Sequence, residues 1–236
     1  MIVFAAIAPH GDLDLAPELR AAMEVLGRRF DAAAPDTAIV VTPHNVHVEG
    51  HFAVITAGRV GEWETDRELA QALLAADLPI LGVSYGGNDA SQAEMPLDWG
   101  TEVPLSCMRA KRVVVVAPAR DRPLEEHLRL GRAIAGLPGR HALIASADHG
   151  HAHAADGPYG FDPAAAVYDA KLLEILGSGR LDFQPLAEHV EAGKADSLWQ
   201  LLVLQGAMGE DAAVDLLAYA APTYYGMAVA EVQAAA

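Results

Sequence analysis

MIVFAAIAPHGDLDLAPELRAAMEVLGRRF, residues 1–30, states the architecture in one unit. An apolar, partly β-branched run, Ile2–Ile7, reads as a buried strand that stops at Pro9-His10. A short polar turn follows, and Pro17 opens a helical pattern that continues to Phe30. Four more runs of the same kind lie at Thr37–Val41, Ile80–Val83, Arg112–Val116 and His141–Ala145, each ending at a Pro, Gly, Ser or Asp turn signal. Helical patterns fall between them at Thr65–Ala76, Pro123–Leu137 and Pro163–Leu176. Strands that alternate with helices predict an α/β fold: a central, largely parallel or mixed sheet flanked by helices. Phe52–Thr56 is a sixth candidate strand, near enough to Thr37–Val41 to form a hairpin around HNVHVEG. The tail reads as helices near Asp196–Met208 and Asp211–Tyr219, followed by the loop APTYYGM. No repeat, low-complexity linker or charge block interrupts the 236 residues, so one domain over 1–236 is expected.

Composition narrows the function. Hydrophobic residues make up 52% and charged residues 20%, too apolar for a disordered chain, yet no uncharged apolar run reaches the roughly 18 residues a membrane span needs. Sixteen Lys and Arg stand against 32 Asp and Glu, a formal charge of −16 that repels a phosphate backbone. Neither nucleic acid nor a membrane is an expected partner. A single cysteine, Cys107, in the apolar context VPLSCM reads as a small buried hydrophobe, and the absence of a basic segment before the first apolar run predicts a cytoplasmic protein.

In an open α/β sheet, ligands bind beyond the carboxyl ends of the strands. Three strands here end in histidine: MIVFAAIAPH in His10, AIVVTPH in His44, and ALIASADHGHAH in His149, His151 and His153. Two imidazoles and a carboxylate on one side of a metal ion leave positions open for substrate and oxygen, which makes His10 and His44 the first ligand candidates. A lone histidine after a strand is more often a hydrogen-bonded structural residue; two of them, each preceded by proline, favour a site. His149, His151 and His153, spaced by two along an extended segment, share a side and suggest a three-histidine zinc site as an alternative, against the plainer alternative of a solvated loop. In Met95–Leu105, a loop entering a short helix, Asp98 reads as an N-cap and Trp99 as a packing residue, while Gly100 and Thr101 can offer donors to a ligand.

The order strand-PH (His10), TPH-N (His44, Asn45), D-x-G-T-x-VPL (Asp98 to Leu105), ASADHGH (Ala145 to His151) and the closing APTYYGMAVA resembles the class III extradiol ring-cleavage dioxygenase superfamily, whose catalytic subunits include protocatechuate 4,5-dioxygenase. The resemblance runs through nearly the whole chain. It implies one non-haem Fe(II) held by His10, His44 and a carboxylate from the start of the late helix, Asp196 by register with Glu191 in reserve. It further implies His151 as acid/base with Asp148 beside it, Thr101 in the catalytic set, and Trp99, Asn45 and Gly100 at the substrate. The substrates would be a small aromatic diol and O2, and the assembly a homo-oligomer such as a dimer. Tyr85, Tyr224 and Tyr225 join Trp99 as candidates for an aromatic wall. One departure is plain: the family's D-H-G-T reads Asp98-Trp99-Gly100-Thr101 here, and an indole cannot exchange a proton. Two other readings stay open, a zinc-dependent hydrolase or lyase in the same crevice and a non-enzymatic protein of the related Memo-like branch.

Overall fold

Four parallel strands at the centre of the sheet carry their side chains alternately into two cores, and that alternation sets the layers. The computed structural model describes residues 1–86 and 88–235. In chain order the elements are β1 (Ile2–Ala8), α1 (Pro17–Ala33), β2 (Thr37–Val41), β3 (Phe52–Ile55), β4 (Arg59–Val60), β5 (Trp63–Thr65), α2 (Arg67–Leu74), β6 (Ile80–Val83), β7 (Glu94–Met95), α3 (Trp99–Leu105) and β8 (Arg112–Ala117). They continue with α4 (Leu124–Ala135), β9 (His141–Ser146), α5 (Pro163–Gly177), α6 (Val190–Gly193), α7 (Leu198–Met208), β10 (Ala213–Ala220) and β11 (Met227–Gln233). The strand order is β10-β11-β1-β9-β2-β8-β5-β4-β7, with β3 and β6 branching from β8. Strands β1, β9, β2 and β8 are mutually parallel, whereas β11 and β10 extend the β1 edge antiparallel, so the sheet is mixed.

Ile7, Ile39, Val41, Val114, Val116 and Leu143 face α2, α4, α5 and α7, while Phe4, Ala6, Val40, Val115 and Ile144 face α1 and α3. The described residues thus form one α/β domain with helices on both faces of the sheet. Helix α7 is buried almost all round, through Leu198, Leu201, Leu202, Val203 and Leu204, as expected of a helix with no polar face. It reaches that position because α4 and α7 meet at two glycines: a Cβ on Gly131 would lie 2.1 Å from the Val203 carbonyl, and one on Gly206 would lie 2.1 Å from that of Leu128.

Three expectations fail. Asp211–Tyr219 is not a helix: Ala213–Ala220 is the edge strand β10, paired antiparallel with β11 over seven register positions. Leu and Ala favour helix weakly, by tenths of a kcal/mol, and the ladder offered by β11 outweighs that preference. Nor does Phe52–Thr56 form a hairpin with Thr37–Val41: β3 runs antiparallel to β8 instead, because both flanks of β2 are already taken by β8 and β9. Cys107 is half-buried against the α1 side rather than fully enclosed.

The glycine contact gives a direct test. Gly131→Ala should cost about 1–3 kcal/mol in urea unfolding, since the methyl group must displace backbone. Gly177→Ala, at the open end of α5, should leave stability equal or slightly higher.

Candidate metal centre

Because β1, β9, β2 and β8 are adjacent and parallel, everything just past their carboxyl ends gathers at one edge of the sheet. His10 follows β1, His44 follows β2, Asp148, His149 and His151 follow β9, and Arg120 follows β8. Asp196 arrives from the other face, two residues ahead of α7. His10 Nε2 and His44 Nε2 stand 2.9 Å apart, and Asp196 Oδ2 lies 3.9 Å from the first and 3.7 Å from the second. Among the described residues, this trio is the group whose ligand atoms all fall within 4.8 Å of one another.

The donor set fits a metal ion. Two nitrogens each about 2.1 Å from one ion, at angles of roughly 90–110°, stand about 3.0–3.4 Å apart, close to the separation seen. His10 Nδ1 lies 3.0 Å from Ser146 Oγ, which ties down that nitrogen and leaves Nε2 for the site. The His10 main-chain N–H donates to Asp148 Oδ1 at 3.1 Å, while Asp148 Oδ2 lies 3.5 Å from His10 Nε2. Asp196 Oδ1 is buried without a partner. Burial lowers the His10 imidazole well below its usual range and the His44 imidazole to about 4, so both are neutral ligands at pH 7. Burial also pushes the Asp196 carboxyl up to about 7, and burial with Asp196 beside it raises Asp148 well above the usual carboxylate range.

The cleft over this trio has two lobes that share His44, His151, Tyr159 and Asp196. One, of about 380 Å³, is walled by Trp99, Tyr224 and Tyr225. The other, of about 450 Å³, carries Arg120, Lys194 and His47. His151 Nδ1 is 2.6 Å from the His149 carbonyl, and its ring centroid lies 5.9–6.3 Å from those of Tyr159, Tyr224 and Tyr225. Trp99 is exposed, with its ring 4.6 Å from that of His44.

Other expected residues go elsewhere. Asp98 collects two of them: Thr101 donates from Oγ1 at 2.8 Å and from its main-chain N–H at 3.1 Å, and Asn45 donates from Nδ2 at 2.9 Å; Gly100 is pressed against Thr42, whose hydroxyl also donates to Asp98. Capping α3 consumes these groups, so Thr101, Asn45 and Gly100 brace the wall and do not line either lobe. Glu191 pairs with Lys194 on the surface, 97% exposed, and is no ligand. The three loop histidines separate: His149 is buried with Nδ1 2.9 Å from Ser197 Oγ, His151 faces the cleft, and His153 binds Asp169 at 2.8 Å, which removes the three-histidine site. Tyr85 lies on a separate cleft. Arg120, Tyr159 and Asp169 were not singled out in the sequence; Arg120 obeyed the same strand-end rule that found the histidines.

Comparison with known proteins places the chain in a family. Residues 14–230 match the family model of the catalytic LigB subunit of aromatic ring-opening dioxygenase, and the chain belongs to that family. Protein CA_C1420 of Clostridium acetobutylicum is 24% identical over 183 residues, 67% of this chain but 39% of that protein, so the chain spans well under half of this relative. The crystal structure of the uncharacterized protein JW3007 from Escherichia coli K12 shares the fold, with a TM-score of 0.64 at 17% identity over 97% of this chain and 99% of that one. Among the described residues no helix is long and apolar enough to cross a membrane.

The raised Asp196 carboxyl fixes a pH dependence. In the metal-free protein Asp196 holds a proton below about pH 7, which an incoming cation must displace, so affinity falls as pH falls. Competition titrations should show the dissociation constant for a divalent ion rising about 15-fold from pH 7 to 5.5. His44, held at about 4, adds no competing proton in that window.

Proposed function

We propose that the chain is a non-haem Fe(II)-dependent extradiol dioxygenase that opens the ring of a catechol-like aromatic with O2. The observation that carries this reading is the approach of His10, His44 and Asp196 from three separated chain segments at the floor of an aromatic-walled cleft. Two imidazoles and one carboxylate are the donor set that leaves neighbouring positions open on a ferrous ion. A ferrous ion held by His10, His44 and Asp196 would supply the redox chemistry of ring opening.

The remaining work falls to the chain. His151 Nδ1–H donates to the His149 carbonyl, which leaves Nε2 with its lone pair. Burial depresses this imidazole, so it is neutral at pH 7 and able to take a proton from a diol hydroxyl and return it as the ring opens. Trp99 exchanges no proton; lying against His44, it shields the ligand from water and offers a flat face to an aromatic ring. With no histidine at position 99, His151 carries the proton transfers alone. Tyr159, Tyr224 and Tyr225 close the apolar side around His151, and Arg120, across the second lobe, sets a positive potential over the site.

Protein purified anaerobically and loaded with ferrous ion should hold about one iron per chain and consume O2 with some member of a catechol panel. His10→Ala and His44→Ala should lose the metal. His151→Ala should keep it and turn over about 10²–10⁴ times more slowly. Tight zinc with no oxygen uptake would overturn the proposal in favour of a hydrolytic site, and His151→Ala at wild-type speed would remove the acid/base role.

A further inference from the structure

Asp169, on α5, is 1% exposed, and among the described residues no lysine or arginine pairs with it. A carboxylate in such a place is tolerated when donors surround it, and here three converge. Gly150 N–H donates to Oδ1 at 2.7 Å; Tyr219 O–H, from β10, donates to Oδ2 at 2.6 Å; and His153 Nε2 lies 2.8 Å from Oδ2. Burial and the adjacent carboxylate push the Tyr219 phenol up, so it remains a donor. The close approach is built in by two glycines. A Cβ on Gly226 would fall 1.9 Å from Asp169 Oδ2, and one on Gly150 would fall 2.6 Å from the Ala165 carbonyl, also on α5.

Gly150 sits directly before His151. Its neighbours are held to other backbone: His149 N–H to Gly226 O, Gly226 N–H to Gly150 O, His151 N–H to Gly193 O and His153 N–H to Tyr224 O. The Gly150 N–H is the donor in this run that ends on a side chain, and that side chain also holds His153, three residues further on. We propose that Asp169 is the positioning residue of the acid/base histidine: by gripping Gly150 N–H and His153 at once, it sets where His151 stands over the metal centre. The proposal rests on the reading of His151 given above. An error of about 1 Å in a proton-transfer group is enough to cost about 100-fold in rate.

Asp169→Asn keeps an acceptor for Gly150 N–H and nearly the same shape, whereas Asp169→Ala keeps neither. With iron loading equal to wild type, kcat should fall about 10-fold in Asp169→Asn and about 100-fold in Asp169→Ala, with KM within about twofold. Amide exchange of the 148–153 segment should speed up in the same order in the iron-free proteins, while exchange across α4 and α7 stays unchanged. A purely structural role would lower the urea midpoint and leave kcat of the folded, iron-loaded protein at the wild-type value; that outcome overturns the proposal. If wild type and His151→Ala turn over alike, the acid/base reading has failed instead. Amide exchange then decides alone: a faster 148–153 segment supports the grip and unchanged protection overturns it.

Discussion

Two imidazole nitrogens 2.9 Å apart, with carboxyl oxygens 3.5–3.9 Å away, make up a desolvated cluster with which, among the described residues, no lysine or arginine forms an ion pair. Each member is held there against its own electrostatics: burial lowers the imidazoles and raises the carboxyls. A divalent cation suits all four groups at once, because it attracts the lone pairs of neutral imidazoles and favours the ionised carboxylates. The rest of the molecule is the apparatus that keeps the cluster assembled.

That apparatus is chiefly geometric. Adjacent parallel strands release His10, His44 and the His151 loop at one edge, so the site inherits the rigidity of the sheet. Asp196 needs a second device, since it belongs to the opposite layer: the glycine contacts between α4 and α7 seat α7 deeply enough to bring its leading residues to the strand ends. A third device fastens the loop after β9 to the loop before β11, residue by residue, and places three tyrosines around His151.

Much of this was legible in the sequence. The central strands announced themselves because each is an uninterrupted apolar run closed by a turn residue, and His10 and His44 stood out because they follow such runs. Asp196 was reached through the family resemblance, which calls for a carboxylate ahead of the late apolar helix. What was hidden depended on partners remote in sequence. The strand nature of Ala213–Ala220 is decided by β11, not by its own Leu and Ala residues. Asn45, Gly100 and Thr101 looked like ligand-facing groups, yet Asp98 takes the donors of Asn45 and Thr101, and Gly100 is packed against Thr42. Asp169 carries no local signal, since one acid in a helix reads as a solvated position until the fold turns it inward.

The most direct test of the account is anomalous diffraction at the iron edge from crystals of anaerobically loaded protein. One peak is expected, bonded to His10 Nε2, His44 Nε2 and an Asp196 oxygen, at about 2.0–2.2 Å from each. A peak on other residues, or none between these three, would contradict it.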